Sequence, residues 1–192
     1  MMPIEDNKAC LELILGPMFA GKTSRLIKIY NHCNQNKIPI YVINHSFDKR
    51  YSENQLTTHD KISIPSINIQ NLYDLFESDY EKSCIISSKV ILINEGQFFN
   101  DLKNFVIELL EKYNKKVYVC GLDGDFKRHK FGELLDLIPY SDSIIKLKGN
   151  CNYCSNEAIF TSRVNESTNQ VVIGGTDIYV ALCRQCYNKI SQ

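Results

Sequence analysis

The sequence predicts an α/β fold with a mostly parallel sheet and a small cysteine-bearing domain at its C-terminal end. Three observations lead there. An apolar run, Leu11 to Leu15, feeds the glycine-bounded segment Gly16-Pro17-Met18-Phe19-Ala20-Gly21-Lys22-Thr23, and Leu26, Ile29, Tyr30 and Cys33 then mark one face of a helix. Further on, short apolar runs alternate with helical periodicity, which right-handed crossovers turn into a parallel sheet with helices on both faces. Two C-x-x-C pairs, Cys151 with Cys154 and Cys183 with Cys186, carry metal-site rather than disulfide spacing.

The glycine-bounded segment fits G-x-x-x-x-G-K-[ST], in the strand-before, helix-after context that such a loop requires. Its glycines let backbone N–H groups turn inward around a polyphosphate, and the helix N-terminus adds partial positive charge facing the same anion. The fold expected is therefore that of the P-loop NTPases, with Lys22 reaching the terminal phosphates and the Thr23 hydroxyl ligating magnesium.

The remaining elements follow in order. Ile38 to Asn44, begun at Pro39 and rich in Ile, Val and Tyr, reads as a second strand. His45 to Ser66 is polar and aperiodic and reads as a long loop, uncommon unless functional. A short helix is expected around Leu72 to Tyr80, and Val90 to Asn94 is nearly all apolar, as suits a strand covered on both faces. Leu102, Phe105, Val106, Leu109, Leu110 and Tyr113 recur at helical spacing. Lys116 to Gly121 and Ser143 to Lys148 read as the last strands before the cysteines. Ligands of such sheets gather at the carboxyl ends of strands, so the glycine loop, Asn94 to Phe99 and the segment after Gly121 are expected to converge on one crevice. The division expected is residues 1–148 for the nucleotide-binding domain and 149–192 for a zinc-ribbon-like one.

Composition narrows the class. The chain has 192 residues, 44% of them hydrophobic, enough for one α/β domain and an appendage. Its 22 Lys and Arg balance 22 Asp and Glu and are spread along the chain, so neither a nucleic-acid nor a membrane partner is expected. No apolar stretch approaches the roughly 18 residues of a membrane span. Cys10, Cys33, Cys84 and Cys120 lie singly in element-like segments and argue for a reducing compartment, the cytoplasm. Cys151, Cys154, Cys183 and Cys186 suit a closed, structural tetrahedral zinc site; a redox C-x-x-C is the alternative. The 28 residues between the two knuckles exceed the usual ribbon separation and should form a long loop.

A phosphate loop needs an acidic strand end to hold the nucleotide's magnesium through water. Val90-Ile91-Leu92-Ile93-Asn94-Glu95 offers an amide at the expected aspartate position, able to accept a hydrogen bond but bringing no charge. Glu95 remains as the carboxylate, in the right place for a general base. The amide predicts an active but magnesium-demanding enzyme; a non-catalytic nucleotide binder and a nucleic-acid-dependent ATPase with a zinc ribbon are the rivals.

Five runs together carry a resemblance: Gly16 to Thr23, Glu95-Gly96-Gln97-Phe98-Phe99, Leu122-Asp123-Gly124-Asp125-Phe126, Val172-Ile173-Gly174-Gly175 and the paired cysteines. In this order, over residues 11–188, they closely resemble the type II thymidine kinases, the zinc-containing class of animals, bacteria and large DNA viruses. The resemblance implies that Glu95 takes the proton of the thymidine 5′-hydroxyl as it attacks the γ-phosphate of ATP. It implies that Lys22 and the loop amides hold the phosphates, that Asn94 and Gln97 belong to the nucleotide side, and that Asp48 and Arg50 form a phosphate-side pair. Met18, Phe98, Leu122, Phe126, Phe131, Thr161 and Tyr179 would line the nucleoside pocket, and the backbone of Val172, Ile173 and Gly174 would bind the pyrimidine edge. Implied too are a lasso-like lid between the cysteine pairs, acceptance of deoxyuridine, thymidine triphosphate as a feedback ligand, and a homotetramer. Only six residues follow Cys186, where some members carry a long extension for regulated degradation.

Overall fold

The computed structural model describes residues 8–47, 55–58, 61–164, 167–172 and 174–190. Strand β1 (Cys10–Leu15) leads through the glycine loop into helix α1 (Lys22–Gln35), and β2 follows at Ile40–His45. Next come β3 (Gln55–Thr57), β4 (Ser63–Pro65), β5 (Ile67–Ile69), α2 (Asp74–Glu77), α3 (Asp79–Ser87) and β6 (Val90–Ile93). A 3₁₀ turn at Gly96–Phe98, helix α4 (Leu102–Glu111), strand β7 (Lys116–Gly121), a 3₁₀ segment at Leu134–Tyr140 and strand β8 (Ser143–Lys146) complete the larger layer.

Six of these strands form one sheet in the order β5-β2-β6-β7-β1-β8, with every pairing parallel. Side chains alternate between its faces as the strand period requires. Leu11, Leu13 and Leu15 join Ile91, Ile93, Val117 and Val119 under α2, α3 and α4, while Ile14, Val90, Leu92, Tyr118 and Cys120 face α1. Both faces are thus covered, which is why these strands read as continuous apolar runs rather than alternating ones. The carboxyl ends of β1, β7 and β6 lie side by side, placing the glycine loop, Leu122 and Glu95 along one edge.

Two expectations need correction. The segment from His45 to Ser66, expected to be a loop, contains the β3–β4 hairpin, whose Leu56 and Ile64 are buried beneath α1. Immediately after it, β5 adds the edge strand, pairing Ile43 with Ile67. Each of these strands has three residues and one or two apolar side chains, too short to show a period. The single helix expected at Leu72 to Tyr80 is two helices broken at Ser78, whose Oγ accepts from Glu81 N at 3.4 Å. Ser78-Asp79-Tyr80-Glu81 is a capping-box pattern, so the second start was present in the sequence.

The cysteine-bearing end is made of short antiparallel pairs. Strand β9 (Gly149–Asn150) pairs with β10 (Glu157–Ala158), β11 (Phe160–Arg163) pairs with β12 (Tyr179–Leu182), and helix α5 (Arg184–Ile190) follows. Their small core holds Cys151, Ala158, Ala181, Leu182, Cys183 and Tyr187, and Phe19 from the glycine loop packs against it. Among the described residues no helix is long and apolar enough to cross a membrane.

Candidate active site

Helix α1 begins without a side-chain cap. Its N-cap is Gly21, at φ 79°, and its first turn contains no acidic residue. The first N–H groups of an uncapped helix point out of its end, so the loop presents donors where a phosphate would sit. Lys22 is 9% exposed, and its Nζ donates to Pro17 O at 2.7 Å, which keeps the ammonium inside the curl of the loop.

This loop forms one wall of a cavity of about 670 Å³, with Met18, Phe19, Gly21, Lys22 and Thr23 on its surface. Glu95, Gln97 and Phe98, from the turn after β6, form the next wall. Leu122, Phe126 and Phe131, from the segment after β7, and Thr161 of β11 continue the lining. Val172, Gly174 and Tyr179 close it from the far side. Three separated stretches at the end of the parallel sheet thus meet the β11–β12 pair of the cysteine-bearing end around a space of ligand size. Gly16, Pro17 and Ala20 shape the loop without lining the cavity. Asp48, Arg50 and Ile173 lie outside the described residues.

Asn94 is turned away from the cavity. Its Nδ2 donates to Asn44 Oδ1 at 2.8 Å and its Oδ1 accepts from Cys120 Sγ at 3.0 Å, with the side chain 1% exposed. Glu95 is a non-glycine residue at φ 55°, a backbone state that persists where surrounding contacts over-determine it. Gln97 Nε2 donates to Glu95 Oε2 at 2.7 Å.

Aromatic rings support this wall. Phe98 meets Phe131 edge-on at 5.3 Å and Phe47 at 5.6 Å, and His45 packs beneath both Phe98 and Phe99. Nδ1 of His45 accepts from Phe47 N at 3.1 Å, so the ring is held neutral with its proton on Nε2. Burial pushes the imidazole pKa below its usual value, with Asp101 opposing the shift more weakly.

The far side is organised by Arg163, 8% exposed. Its Nη1 donates to Ser167 O at 3.0 Å and to Asn169 O, and its Nη2 donates to Gln170 O at 3.0 Å and Tyr179 Oη at 2.8 Å. Tyr179 Oη in turn donates to Val172 O at 2.8 Å. The guanidinium also lies 3.8 Å from the centre of the Phe126 ring. Asp125 ties the strap of residues 167–172 across the cleft: its Oδ2 accepts from Gln170 Nε2 at 2.9 Å, and its Oδ1 accepts from Lys127 N and His129 N. The basic run Lys127 to Lys130 is thereby a turn built on Asp125, with Arg128 stacked 4.5 Å over the Tyr187 ring.

The four paired cysteines converge with all sulfurs within 4.8 Å of one another. Cys154 Sγ lies 3.6 Å from Cys183 Sγ and 3.6 Å from Cys186 Sγ, and all four are free thiols. Zinc–sulfur bonds of about 2.3 Å in a tetrahedron require sulfurs about 3.8 Å apart, so this donor set fits a four-thiolate metal. The cluster also reaches the phosphate side. Phe19 packs into its core, and Met18 N donates to Thr161 Oγ1 at 2.9 Å.

The sequence pattern of the thymidine kinase family matches residues 9–187. The chain belongs to the thymidine kinase family. It is 39% identical to the thymidine kinase of vaccinia virus strain Ankara over 181 residues, 94% of this chain and 98% of the relative. It is 38% identical to a rice thymidine kinase over 178 residues and 36% identical to Arabidopsis thymidine kinase a over 181. The aligned parts span 65% of the rice relative's length and 76% of the Arabidopsis one.

Several residues that shape this cavity carry weak signals or none. Asp125 had one, since an aspartate whose carboxylate meets the amide two residues on is an Asx turn. Arg163 had none, because a lone arginine in a short strand announces neither the carbonyls it will meet nor the ring beneath it. Phe47, Gln170 and Asn152 also line the cavity and depend on long-range placement.

Proposed function

We propose that the protein is a thymidine kinase that transfers the γ-phosphate of ATP to the 5′-hydroxyl of thymidine, and of deoxyuridine, giving the 5′-monophosphate and ADP. One observation carries the reading: Lys22 on the phosphate loop and the Glu95 carboxylate line the same cavity, which also presents the rings of Phe98, Phe126 and Phe131 with polar Thr161 and Gln170 beside them. Such a cavity offers an anion cradle at one end and a flat, largely apolar slot at the other.

In this reading the loop amides and Lys22 bind the phosphates, and the Glu95 carboxylate accepts the hydroxyl proton as the alcohol oxygen bonds to phosphorus and the bond to the β-phosphate oxygen breaks. Magnesium, held by Thr23, would neutralise phosphate charge when bound. Asp48 and Arg50 belong to the phosphate side, and the backbone of Val172, Ile173 and Gly174 to the pyrimidine edge. Most of the rate comes from positioning and charge neutralisation. Residues 1–148 form the nucleotide-binding domain and 149–192 the domain that carries the lid. Zinc in the four-cysteine cluster is structural. A cytoplasmic setting, a homotetramer and feedback by thymidine triphosphate in the same cavity complete the proposal, with neither nucleic acid nor membrane as partner.

Labelled thymidine, ATP and magnesium test it directly. The protein should form thymidine monophosphate, and Glu95→Gln should lower turnover by about 10²- to 10⁴-fold while still binding ATP. Absence of product from the unaltered protein, or full turnover in Glu95→Gln, would overturn the assignment.

A further inference from the structure

We propose that Gln97 is a positioning residue: it holds the Glu95 carboxylate in line and couples that hold to the backbone of the nucleoside wall at Leu122. The inference rests on Glu95 acting as the general base. Gln97 is 2% exposed and bridges two groups, accepting from Leu122 N on Oε1 at 3.0 Å and donating from Nε2 to Glu95 Oε2 at 2.7 Å. The amide can be read in one orientation only. A backbone N–H at Leu122 can only donate, so it must face the amide oxygen, and the amide nitrogen is left for the carboxylate, which only accepts when ionised.

The chain makes room for this side chain. A Cβ on Gly121 would stand 2.3 Å from Gln97 Oε1, and a Cβ on Gly132, itself at φ 59°, would stand 2.1 Å from Gln97 O. Glycines at both places leave a slot that Gln97 fills. The turn that brings it there starts at Glu95, in the left-handed region, with Phe98 N donating to Glu95 O at 3.0 Å. That turn folds the side chain two residues on back over the carboxylate. With Oε2 and the plane of the group held, the carboxylate meets a bound alcohol in one geometry, which is the condition for efficient proton transfer. Both ends of the amide are engaged within the protein, so the residue acts through Glu95 rather than as a nucleotide ligand.

Gln97→Met and Gln97→Glu in the full chain test this. Replacing the amide by a thioether removes the hold at similar length. Replacing it by a carboxylate sets two acids side by side, which then compete for a proton. Thymidine phosphorylation is followed against pH, with ADP binding and melting temperature as controls. Gln97→Met should lower kcat by about tenfold to a hundredfold, with both KM values within about threefold of the unaltered protein. Gln97→Glu should move the acid limb of the pH–rate profile upward by about one pH unit and regain activity toward alkaline pH. A rise in the KM for ATP at unchanged kcat would overturn the inference in favour of nucleotide contact. Equal losses at every pH that merely follow the melting temperature would overturn it in favour of a structural role. If Gln97→Met does not fold, the profile of Gln97→Glu decides alone. An unaltered protein that makes no thymidine monophosphate sinks the functional reading, whereas an active one with indifferent Gln97 variants sinks this inference only.

Discussion

The two sides of the cavity are built by different means. On the phosphate side, loop and turn are held by the ends of β1, β6 and α1, elements whose apolar faces are fully buried. On the opposite side, residues 167–172 and 174–178 carry no helix or strand and hang from side chains: Arg163 on three carbonyls, Tyr179 on a fourth, Asp125 on Gln170. Backbone geometry fixes the first; side-chain hydrogen bonds fix the second. A wall of that second kind can open at the cost of a few hydrogen bonds, whereas the first can open only by unfolding the sheet.

Removing metal with a chelator should separate the two sides most. Structural zinc in small thiolate sites is worth about 10–16 kcal/mol of binding free energy, so its loss should abolish amide protection in β11, β12 and α5 and thymidine binding with it. Protection in β1, β6 and β7 should persist, and ADP affinity should fall only partly, because Phe19 and Met18 lose their support. If the sheet loses protection in step, the two sides form one cooperative unit and the contrast fails.

Arg163→Met comes next. It keeps apolar bulk over Phe126 but abandons the carbonyls and Tyr179 Oη, bonds of the charged type worth about 1.5–3 kcal/mol. The KM for thymidine should rise about tenfold to a hundredfold while that for ATP moves little. A parallel rise in both would mean that the clamp serves the phosphate side as well.

Asn94→Asp sharpens the phosphate side. A carboxylate at the end of β6 should reduce the magnesium needed for half-maximal turnover by about tenfold, the equivalent of about 1.4 kcal/mol. It should also cost about 1–3 kcal/mol of stability, because the N–H that Asn94 gives to Asn44 is lost in a buried place. Superimposable magnesium titrations would mean that charge at this strand end is irrelevant to the metal.

The smallest effect is a pH dependence beneath the aromatic wall. The His45 pKa in the folded protein lies below its usual value of 6.5 through burial. The unfolded chain therefore takes up a proton at higher pH than the folded one, so the contribution is fully present above pH 6.5. It declines as pH falls from there toward the folded value, by at most about 1.4 kcal/mol per pH unit. Denaturant melts of the unaltered protein and His45→Gln between these limits should diverge in slope; parallel slopes would remove His45 as the source.

How much could be read in advance differed along the same divide. The glycine loop, Glu95, the paired cysteines and the buried strands β1, β6 and β7 were all legible, because each is written in consecutive or periodic residues. The β3–β4 hairpin and β5 were not, since three-residue strands carry too few apolar positions to show a period. Asn94 was legible as a departure from an acidic strand end, but its engagement with Asn44 and Cys120 was not. The packing of Phe19 from the glycine loop against the cysteine-bearing core was not legible either, because nothing in the spacing of the cysteines points to that loop.

Sequence alone determined the phosphate cradle, the parallel α/β layer and the four-thiolate cluster, because local backbone preference and strict spacing specify them within a few residues. Only the tertiary structure decided that Gln97 bridges Glu95 and Leu122, that Arg163 grips the carbonyls of Ser167, Asn169 and Gln170 and lies against Phe126, and that Asp125 reaches Gln170 across the cleft. Those contacts join residues 2 to 45 positions apart. Except for Gln97 and Glu95 they depend on how β7, β11 and the strap come together, which no local pattern encodes.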